Sequence, residues 1–221
     1  YVFKPQGFRE ARSRLHGKIG MHVMGPWSHI DIDSQDDFEL CEWILRNPGS
    51  DLPSADTLRG IKTVVFDFDG VMTDNRVIVM QDGSEAVVCS RSDGMGVQQL
   101  LREGVAALVL STEANPVVQA RCSKLGIPCI QNLGLNKVRA FREYLKENEL
   151  CADEVLYLGN DVNDLECMEL AGLSAAVSDA HPTVIKRADW VLASDGGRGA
   201  VRELTDLIVQ ARQGFSDKST E

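Results

Sequence analysis

The sequence predicts an α/β protein built on a doubly wound parallel sheet, with one β-hairpin inserted into it. From Ile61 onward, short apolar runs alternate with amphipathic segments, which is the pattern of parallel strands joined by crossover helices. The runs are apolar at consecutive positions, as expected of strands that helices cover on both faces. One segment, 76–90, interrupts the alternation with two β-rich runs around Asp82-Gly83, a strong hairpin signal.

The elements of this fold are predicted in order along the chain. Strands are predicted over 62–66, 105–110, 128–131, 154–158, 173–177 and 189–192. Helices are predicted between them, over 95–103, 115–125, 136–148, 162–171 and 199–211. The helical spacing is clear in the last of these, where Val201, Leu204 and Ile208 share one face.

The chain is expected to divide into four parts. Residues 1–46 form a segment of mixed character, and residues 47–60, NPGSDLPSADTLRG, predict a linker because proline, glycine and serine are frequent there. Residues 61–212 hold the α/β domain, and residues 213–221 are expected to form a flexible tail. Because the sequence begins with Tyr1, we expect a fragment or a processed product.

The composition narrows the expected partners. A formal charge of −10 and a pI near 4.9 argue against nucleic acids and anionic membranes. No apolar run approaches the roughly 20 residues of a membrane span. The six cysteines show no CxxC spacing, which favours reduced, buried thiols in a cytoplasmic protein.

Polar side chains follow the predicted strands. They are Asp67 and Asp69 after the first strand, Ser111, Thr112 and Glu113 after the second, Lys137 at a helix start, and Asn160, Asp161 and Asp164 after the 154–158 run. The carboxyl ends of parallel strands meet at one edge of a sheet, where ligands bind. This set suits magnesium-assisted phosphoryl transfer: the metal and the lysine neutralise phosphate oxygens, the hydroxyl donates to one of them, and a carboxylate attacks phosphorus.

Each of these features also has an ordinary interpretation. The Asp-x-Asp pair can be a turn, Ser111 a helix cap, Lys137 a solvated helix residue, and GNDVND a loop with asparagine caps. Their joint occurrence at strand ends, in a fixed order, favours the site. The order also argues against a receiver domain, whose phosphorylated aspartate follows the third strand, because PCIQN (128–132) contains no aspartate.

Residues 61–212 resemble the haloacid dehalogenase superfamily, whose four motifs appear as DFDGVMTD, LST, NK and GNDVND. The stretches RSDGMG, STEANPVV, GNDVNDLECM and GGRGAVREL resemble the small phosphatases of sialic-acid-type sugar biosynthesis. These include 3-deoxy-octulosonate 8-phosphate phosphatase and the nonulosonate 9-phosphate phosphatases. The resemblance implies a capless Rossmann-like fold, phosphoric monoester hydrolysis, Mg²⁺ as cofactor and a homotetramer.

The resemblance also implies catalytic roles. Asp67 would attack phosphorus and form an aspartyl-phosphate, and Asp69 would protonate the leaving alkoxide and later activate water. Ser111 and Lys137 would bind the transferring phosphoryl group.

Magnesium would be held by Asp67, by Asp69, whose backbone carbonyl contacts it, and by the loop GNDVND. This sequence departs from the commoner family pattern, because Asn160 stands where the first aspartate of that loop is usual. Either Asn160 ligates through its amide oxygen or Asp161 takes over, and we favour Asp161. Asp164 would orient Lys137 or a metal-bound water.

Contacts with the substrate are expected from Thr73, Arg91, Asp93, Gly94, Thr112, Glu113 and Arg198. Arg91, Asp93 and Arg198 lie in the RSDG and GGRG stretches and are candidates for binding a sugar carboxylate or hydroxyls, since the guanidinium fork matches a carboxylate. Surface ion pairs are the alternative for these residues.

The choice of substrate is expected to depend on Glu113. In the octulosonate phosphatases the second motif usually continues as threonine-glycine-arginine, whereas this chain has Ser111-Thr112-Glu113. A carboxylate in place of a cation disfavours a sugar carboxylate at that point. We therefore expect a nonulosonate 9-phosphate as substrate. The alternative substrate is 3-deoxy-octulosonate 8-phosphate. The alternative functions of the chain are a sugar-phosphate mutase and a non-catalytic oligomerisation module.

A second resemblance lies near the amino terminus. The stretch IDIDSQDDFELCEWIL is similar to the carboxyl-terminal end of cytidylyltransferases that make CMP-activated acidic sugars, and Asp31 and Asp33 match their metal-binding aspartates. The ordinary alternative is that Ser34 begins a capped helix. The resemblance implies the tail of a bifunctional acylneuraminate cytidylyltransferase and phosphatase.

The hairpin is expected to assemble the homotetramer. A two-stranded hairpin is at best marginally stable in water, and Val77, Val79, Val87 and Cys89 alternate along it to offer one apolar face. The alternative is that this face folds back onto its own domain.

Overall fold

The computed structural model describes residues 52–214 and the isolated positions 6, 9, 12 and 38. The chain divides into two compact units, Tyr1–Trp43 and Ile44–Glu221. Asp31, Asp33 and the helix predicted after Ser34 lie outside the described residues, apart from Phe38, so the assignment of that segment stays a prediction.

Eight strands form in the described part of the chain. They are β1 Thr63–Phe66, β2 Thr73–Val79, β3 Glu85–Cys89, β4 Ala106–Leu110, β5 Cys129–Ile130, β6 Val155–Gly159, β7 Leu173–Ala176 and β8 Trp190–Val191. Six of them make one sheet in the order β5-β4-β1-β6-β7-β8, with every neighbouring pair parallel. The strand order reverses between β1 and β6, and α/β sheets bind their ligands at the carboxyl ends of the strands beside such a point. The predicted doubly wound α/β fold is confirmed.

Seven α-helices accompany these strands within residues 52–214. They are α1 Ala55–Gly60, α2 Arg91–Arg102, α3 Pro116–Leu125, α4 Lys137–Glu147, α5 Leu165–Leu170, α6 Pro182–Arg187 and α7 Ala200–Gln213. Helix α2 begins four residues before its predicted start because the Ser90 side chain accepts a hydrogen bond from Asp93 N and caps it. Among the described residues, no helix is long and apolar enough to cross a membrane.

Two of these helices, α1 and α6, were not predicted. Helix α1 lies inside the predicted linker 47–60: the Ser54 hydroxyl caps it by accepting from Thr57 N, and Leu58 is buried in the core. Arg59 Nε donates to the Ala211 carbonyl at 2.7 Å, which fixes α1 to α7. The linker prediction is therefore wrong for 55–60. The predicted flexible tail is likewise wrong at Gln213, the last residue of α7.

The core surrounds the central strands. All four residues of β1 are buried, as are all five of β6, which confirms that these strands are covered on both faces. The five cysteines among the described residues are free thiols. Cys122 and Cys167 are buried as expected, whereas Cys151 is exposed.

The inserted hairpin, β2 with β3, forms a separate two-stranded antiparallel sheet. Gly83 in its turn has φ +81°, a left-handed conformation that glycine adopts without strain. On the predicted apolar face, Val87 and Cys89 pack against the core of their own domain, whereas Val77 and Val79 are exposed. Ile78 and Val88 of the opposite face are exposed as well. Only the base of the hairpin therefore folds back on its own domain.

Candidate active site

Asp67 directly follows β1 and is buried, with 5% of its surface exposed. Its amide donates to the Leu158 carbonyl at 3.0 Å, so the backbone extends the pairing of β1 with β6. Burial and the neighbouring Asp164 raise the pKa of Asp67 to about 7, against the opposing effect of Lys137. The Asp67 carboxyl is therefore buried close to a second carboxylate, that of Asp164.

Lys137 begins α4 and is buried between two carboxylates. Its Nζ donates to Asp67 Oδ1 and to Asp164 Oδ1, each at 2.6 Å. Burial alone would lower the pKa of Lys137, but the two carboxylates outweigh it and raise the pKa above its usual value. The side chain is therefore an ammonium held against Asp67, and the alternative of a solvated lysine is excluded.

Asp164 joins Lys137 to the acidic loop. It is fully buried, and its Oδ1 accepts from Lys137 Nζ at 2.6 Å and from the Tyr157 hydroxyl at 2.8 Å. Its Oδ2 accepts from the amides of Asn160 and Asp161, at 2.9 and 3.2 Å. These four donors favour the predicted role of orienting Lys137 over that of a metal ligand.

Asn160 and Asp161 differ in what their side chains contact. Asn160 Oδ1 is buried and has no hydrogen-bond partner. Its amide group lies against Gly70, where φ is +83° and a β-carbon would come within 2.0 Å of Asn160 Nδ2. Asp161 is exposed, and its Oδ1 accepts from Val162 N at 2.7 Å to cap the short 3₁₀ turn Val162–Asp164. This geometry favours Asn160 over Asp161 as a metal ligand.

The remaining donor set fits a hard divalent cation. Asp67 offers a carboxylate, Asp69 its backbone carbonyl and Asn160 an amide oxygen, and oxygen ligands are those that Mg²⁺ prefers. Asp67 and Asp164 are both buried, while Lys137 supplies a single positive charge beside them. Within residues 52–214 no three His, Cys, Asp or Glu side chains are placed to hold an ion, and the buried amide oxygen of Asn160 is a candidate for a further ligand.

Asp69 stands at the entrance of the site and is half-buried. Burial raises its pKa, and the nearby carboxylates of Glu113 and Glu85 add to the effect, while Lys137 opposes it. Glu113 thus lies close enough to Asp69 to influence it, as its place in the sequence predicts.

Ser111 directly follows β4 and is buried. Its Oγ accepts from Glu113 N at 3.1 Å, which leaves the hydroxyl proton free to donate. Asn115, not Ser111, caps α3, so the interpretation of Ser111 as a helix cap is excluded. The arrangement suits the predicted role, a donor to a phosphoryl oxygen.

Three other predicted substrate contacts have structural partners. Thr73 is buried, and its hydroxyl accepts from Gly70 N at 3.1 Å and from Asn75 N at 3.3 Å, which holds the turn after Asp69. Asp93 is buried against α7, where its Oδ1 accepts from Arg202 N at 3.0 Å. Gly94 packs so closely that a β-carbon would lie 2.9 Å from Arg121 Nη2. Thr73 and Gly94 thus have structural contacts, whereas Asp93 Oδ2 is buried without a hydrogen-bond partner. The predicted contacts of these three residues with a substrate stay predictions.

The predicted arginines stay at the surface. Arg91 is exposed, and Arg198 Nη2 lies 3.9 Å from Asp74 Oδ2 with most of its side chain in solvent. The Arg198 contact is the surface ion pair named as the alternative. Thr112 is half-buried beside Ser111.

A cavity of about 230 Å³ opens next to Asp69, between the hairpin and the loop after β4. Its polar lining comprises Asp69, Asn75, Arg76, Glu85, Glu113 and Asn115. Asn115 Nδ2 donates to Glu85 Oε2 at 2.7 Å, which links the hairpin to the start of α3. A second cavity, of about 310 Å³, lies at Gly172, Ser174 and Asp189. These residues are at the amino-terminal ends of β7 and β8, so that cavity is away from the site.

Comparison with known proteins matches this geometry to a family. A model of the haloacid dehalogenase-like hydrolases matches residues 110–204. The 3-deoxy-D-manno-octulosonate 8-phosphate phosphatase of Escherichia coli is 36% identical over 169 residues, which cover 75% of this chain and 89% of that protein. The chain belongs to the haloacid dehalogenase superfamily. It is a phosphatase.

Two solved structures of related phosphatases contain divalent metals. The cobalt-bound octulosonate 8-phosphate phosphatase of Haemophilus influenzae is 34% identical, with a TM-score of 0.68 over 74% of this chain and 96% of that one. The Moraxella catarrhalis enzyme, solved with a magnesium ion, a phosphate ion and a KDO molecule, is 28% identical. Its TM-score is 0.69 over 73% of this chain and 92% of that one.

Several site residues of this haloacid dehalogenase phosphatase were missed from the sequence. Tyr157 lies within an apolar run, so the sequence predicts only a core residue. The structure shows that its hydroxyl donates a hydrogen bond to Asp164. Asn75, Arg76 and Glu85 line the cavity only because the base of the hairpin returns to its own domain. The single available signal was the short insertion itself, placed where other superfamily members carry a cap.

Proposed function

We propose that the chain is a magnesium-dependent phosphatase that hydrolyses the phosphate monoester of an acidic sugar by way of a phosphorylated Asp67. The observation that supports it most is Lys137, held 2.6 Å from Asp67 by a second buried carboxylate. The relatives named above act on 3-deoxy-D-manno-octulosonate 8-phosphate, which is therefore the first candidate substrate.

The residues of the chain divide the reaction between them. The Asp67 carboxylate attacks phosphorus, the bond from phosphorus to the sugar oxygen breaks, and Asp69 gives its proton to the leaving alkoxide. Asp69 then takes a proton from water, which attacks phosphorus and releases inorganic phosphate and Asp67. Lys137 and the Ser111 hydroxyl bind phosphoryl oxygens throughout, so that charge developing on them meets fixed donors.

Magnesium would be held by the Asp67 carboxylate, the backbone carbonyl of Asp69 and the amide oxygen of Asn160. When bound, it neutralises charge on the phosphoryl oxygens. The buried, unpartnered Asn160 Oδ1 supports this assignment, because an unsatisfied buried acceptor costs roughly 1–3 kcal/mol unless a partner is supplied.

A nonulosonate 9-phosphate is the second candidate, and the Glu113 position favours it. Glu113 and Glu85 both face the cavity beside Asp69, and carboxylates there disfavour a sugar carboxylate and favour hydroxyl or amide groups. The comparisons favour the octulosonate instead, contrary to the expectation from the sequence. A place in CMP-sialic-acid-type biosynthesis depends on this second candidate and on residues 1–46.

The non-catalytic alternative is not favoured. A degenerate module would have no need of Lys137, buried between Asp67 and Asp164 at hydrogen-bond distance from both. Buried charges of this kind are costly to keep, and the arrangement is what phosphoryl transfer requires.

Phosphate release over three substrates tests the proposal. We expect the highest kcat/KM for 3-deoxy-octulosonate 8-phosphate, a lower value for N-acetylneuraminate 9-phosphate, and the lowest for glucose 6-phosphate. Replacing Glu113→Arg should widen the preference for the octulosonate by about tenfold, the scale of one charged contact. A higher value for the nonulosonate would select the second candidate, and preference for the neutral sugar would contradict an acidic substrate.

A further inference from the structure

Tyr157 lies beneath the phosphoryl-binding lysine and has no part in the steps above. It is the third residue of β6 and is fully buried. Its hydroxyl donates to Asp164 Oδ1 at 2.8 Å, and the same oxygen accepts from Lys137 Nζ at 2.6 Å. We propose that Tyr157 is a positioning residue, which fixes Lys137 against Asp67 by occupying and orienting the Asp164 carboxylate.

The hydrogen bonds of Asp164 explain how the phenol reaches the reaction. Four donors surround this carboxylate, two on each oxygen, so it cannot rotate without breaking one of them. The Tyr157 proton also shares the negative charge of Oδ1. Without it, Asp164 would draw the ammonium more strongly, because hydrogen bonds to a charged group strengthen as competing donors leave. Lys137 would then move away from Asp67 and from the phosphoryl group bound there.

Packing makes Tyr157 a rigid donor. Its ring lies against Phe141, with centroids 5.8 Å apart at an interplanar angle of 54°. Lys137 Nζ is 5.9 Å from the centroid of the Tyr157 ring. Phe141 and Lys137 are one turn apart on α4, so the single tyrosine contacts that helix at two successive turns. A site built this way holds its donors in place before the substrate arrives.

The variant Tyr157→Phe removes the hydroxyl and keeps the ring. This inference rests on the aspartyl-phosphate chemistry proposed above. The activity of the variant is therefore measured with Mg²⁺ and p-nitrophenyl phosphate, a substrate without a sugar. We expect kcat/KM to fall about 10- to 100-fold, the range for losing one hydrogen bond to a charged group. The fall should appear in kcat, with KM nearly unchanged, because Lys137 acts most strongly where charge develops.

Inhibition by vanadate separates positioning from a merely structural role. Vanadate adopts the five-coordinate geometry of the transition state, so its inhibition constant should weaken by the same factor as kcat/KM, while that of inorganic phosphate changes less. Tyr144→Phe is the matched control, since Tyr144 is half-buried on the same helix as Lys137, near Thr63 at the amino-terminal end of β1 and so away from the site. The control should keep wild-type kinetics.

A second variant, Tyr157→His, retains a ring donor and covers the case in which the phenylalanine variant does not fold. We expect its vanadate inhibition to stay within a few-fold of wild type, or to recover part of what the phenylalanine variant loses. Wild-type kcat/KM and vanadate inhibition in a folded Tyr157→Phe would overturn the inference. A folded Tyr157→His whose vanadate inhibition is weakened as much as that of a folded Tyr157→Phe would also overturn it. If Tyr157→Phe does not fold, a weakening of about 100-fold in a folded Tyr157→His would overturn it. Turnover of the aryl phosphate without turnover of any sugar-acid phosphate would overturn the proposed substrate instead and leave this inference standing.

Discussion

At Asn160, the surroundings of one atom, Oδ1, favour a role in binding the metal. The Oδ1 of this residue is buried with no hydrogen-bond partner, while the rest of its side chain is wedged against Gly70. A metal ion can be the partner of such an oxygen, because it binds the lone pair directly. The side-chain amide oxygen of asparagine can coordinate a hard cation, as a carboxylate oxygen does. Asp161 meanwhile uses its carboxylate on its own turn.

The variant Asn160→Ala should therefore raise the Mg²⁺ concentration needed for half-maximal activity. We expect at least about tenfold, since losing even an outer partner of a metal site typically costs 10- to 100-fold in metal affinity. Asp161→Asn is the matched control, because it keeps an oxygen to cap the turn and should shift the Mg²⁺ requirement little. The measurement is a magnesium titration of phosphate release. The reverse pattern would restore Asp161 as the ligand.

The residues proposed to carry the chemistry were easier to predict than the residues that position them. Asp67, Ser111 and Lys137 were found because strand ends in a parallel sheet converge on one edge, whatever the details of packing. Tyr157 and the unpartnered oxygen of Asn160 depend on which side chain reaches which atom across the turn 160–164. The order of residues does not contain that information.

Among the elements, the hairpin leaves much apolar surface uncovered by its own domain. Ile78 and Val88 share one face and have 52% and 61% of their surfaces exposed, and Val77 and Val79 are exposed on the other face. An isolated two-stranded sheet is marginally stable and leaves both edges unpaired. A second copy offers the same apolar strip and the same free edges, which is what a self-complementary interface requires. We therefore propose that hairpins of identical chains pair, in a homotetramer.

The double variant Ile78→Lys, Val88→Lys tests this assembly. Both side chains point to solvent within one chain, so the fold should tolerate the change, whereas four or more buried lysines would break an interface. We expect a lower mass by light scattering and reduced turnover, because assembly also encloses the open site. Gln210→Lys, an exposed change on α7, should alter neither. A fully active monomer, in the wild type or the variant, would contradict the proposal.

Helix α1 shows where composition misleads. The stretch 47–60 predicted a linker from its prolines, glycines and serines, yet those residues are concentrated before Ala55. The hydroxyl of Ser54 caps the start of a helix by accepting a hydrogen bond from Thr57 N, and Leu58 of this helix is buried in the core. The burial of Leu58 and the hydrogen bond from Arg59 to the Ala211 carbonyl make this segment part of the domain.

For the whole molecule, the order of the motifs along the chain predicted more than any motif alone. The alternation after Ile61 predicts a parallel sheet, and the structure places β1 near its centre, between β4 and β6. Asp67 and the loop 160–164 must meet there, since one follows β1 and the other follows β6. The shape of the cavity beside Asp69 could not be predicted, because it depends on how closely the hairpin packs against the start of α3.

The central claim is that Asp67 is the nucleophile of a magnesium-dependent phosphatase. The most direct test measures phosphate release from 3-deoxy-octulosonate 8-phosphate by the wild type and by Asp67→Asn at saturating Mg²⁺. Enzymes accelerate monoester hydrolysis by up to about 10²¹-fold, and a chain without its nucleophile has no second route to this rate. We predict that the variant, folded as judged by circular dichroism, releases no phosphate above background. Undiminished release by Asp67→Asn would contradict the account.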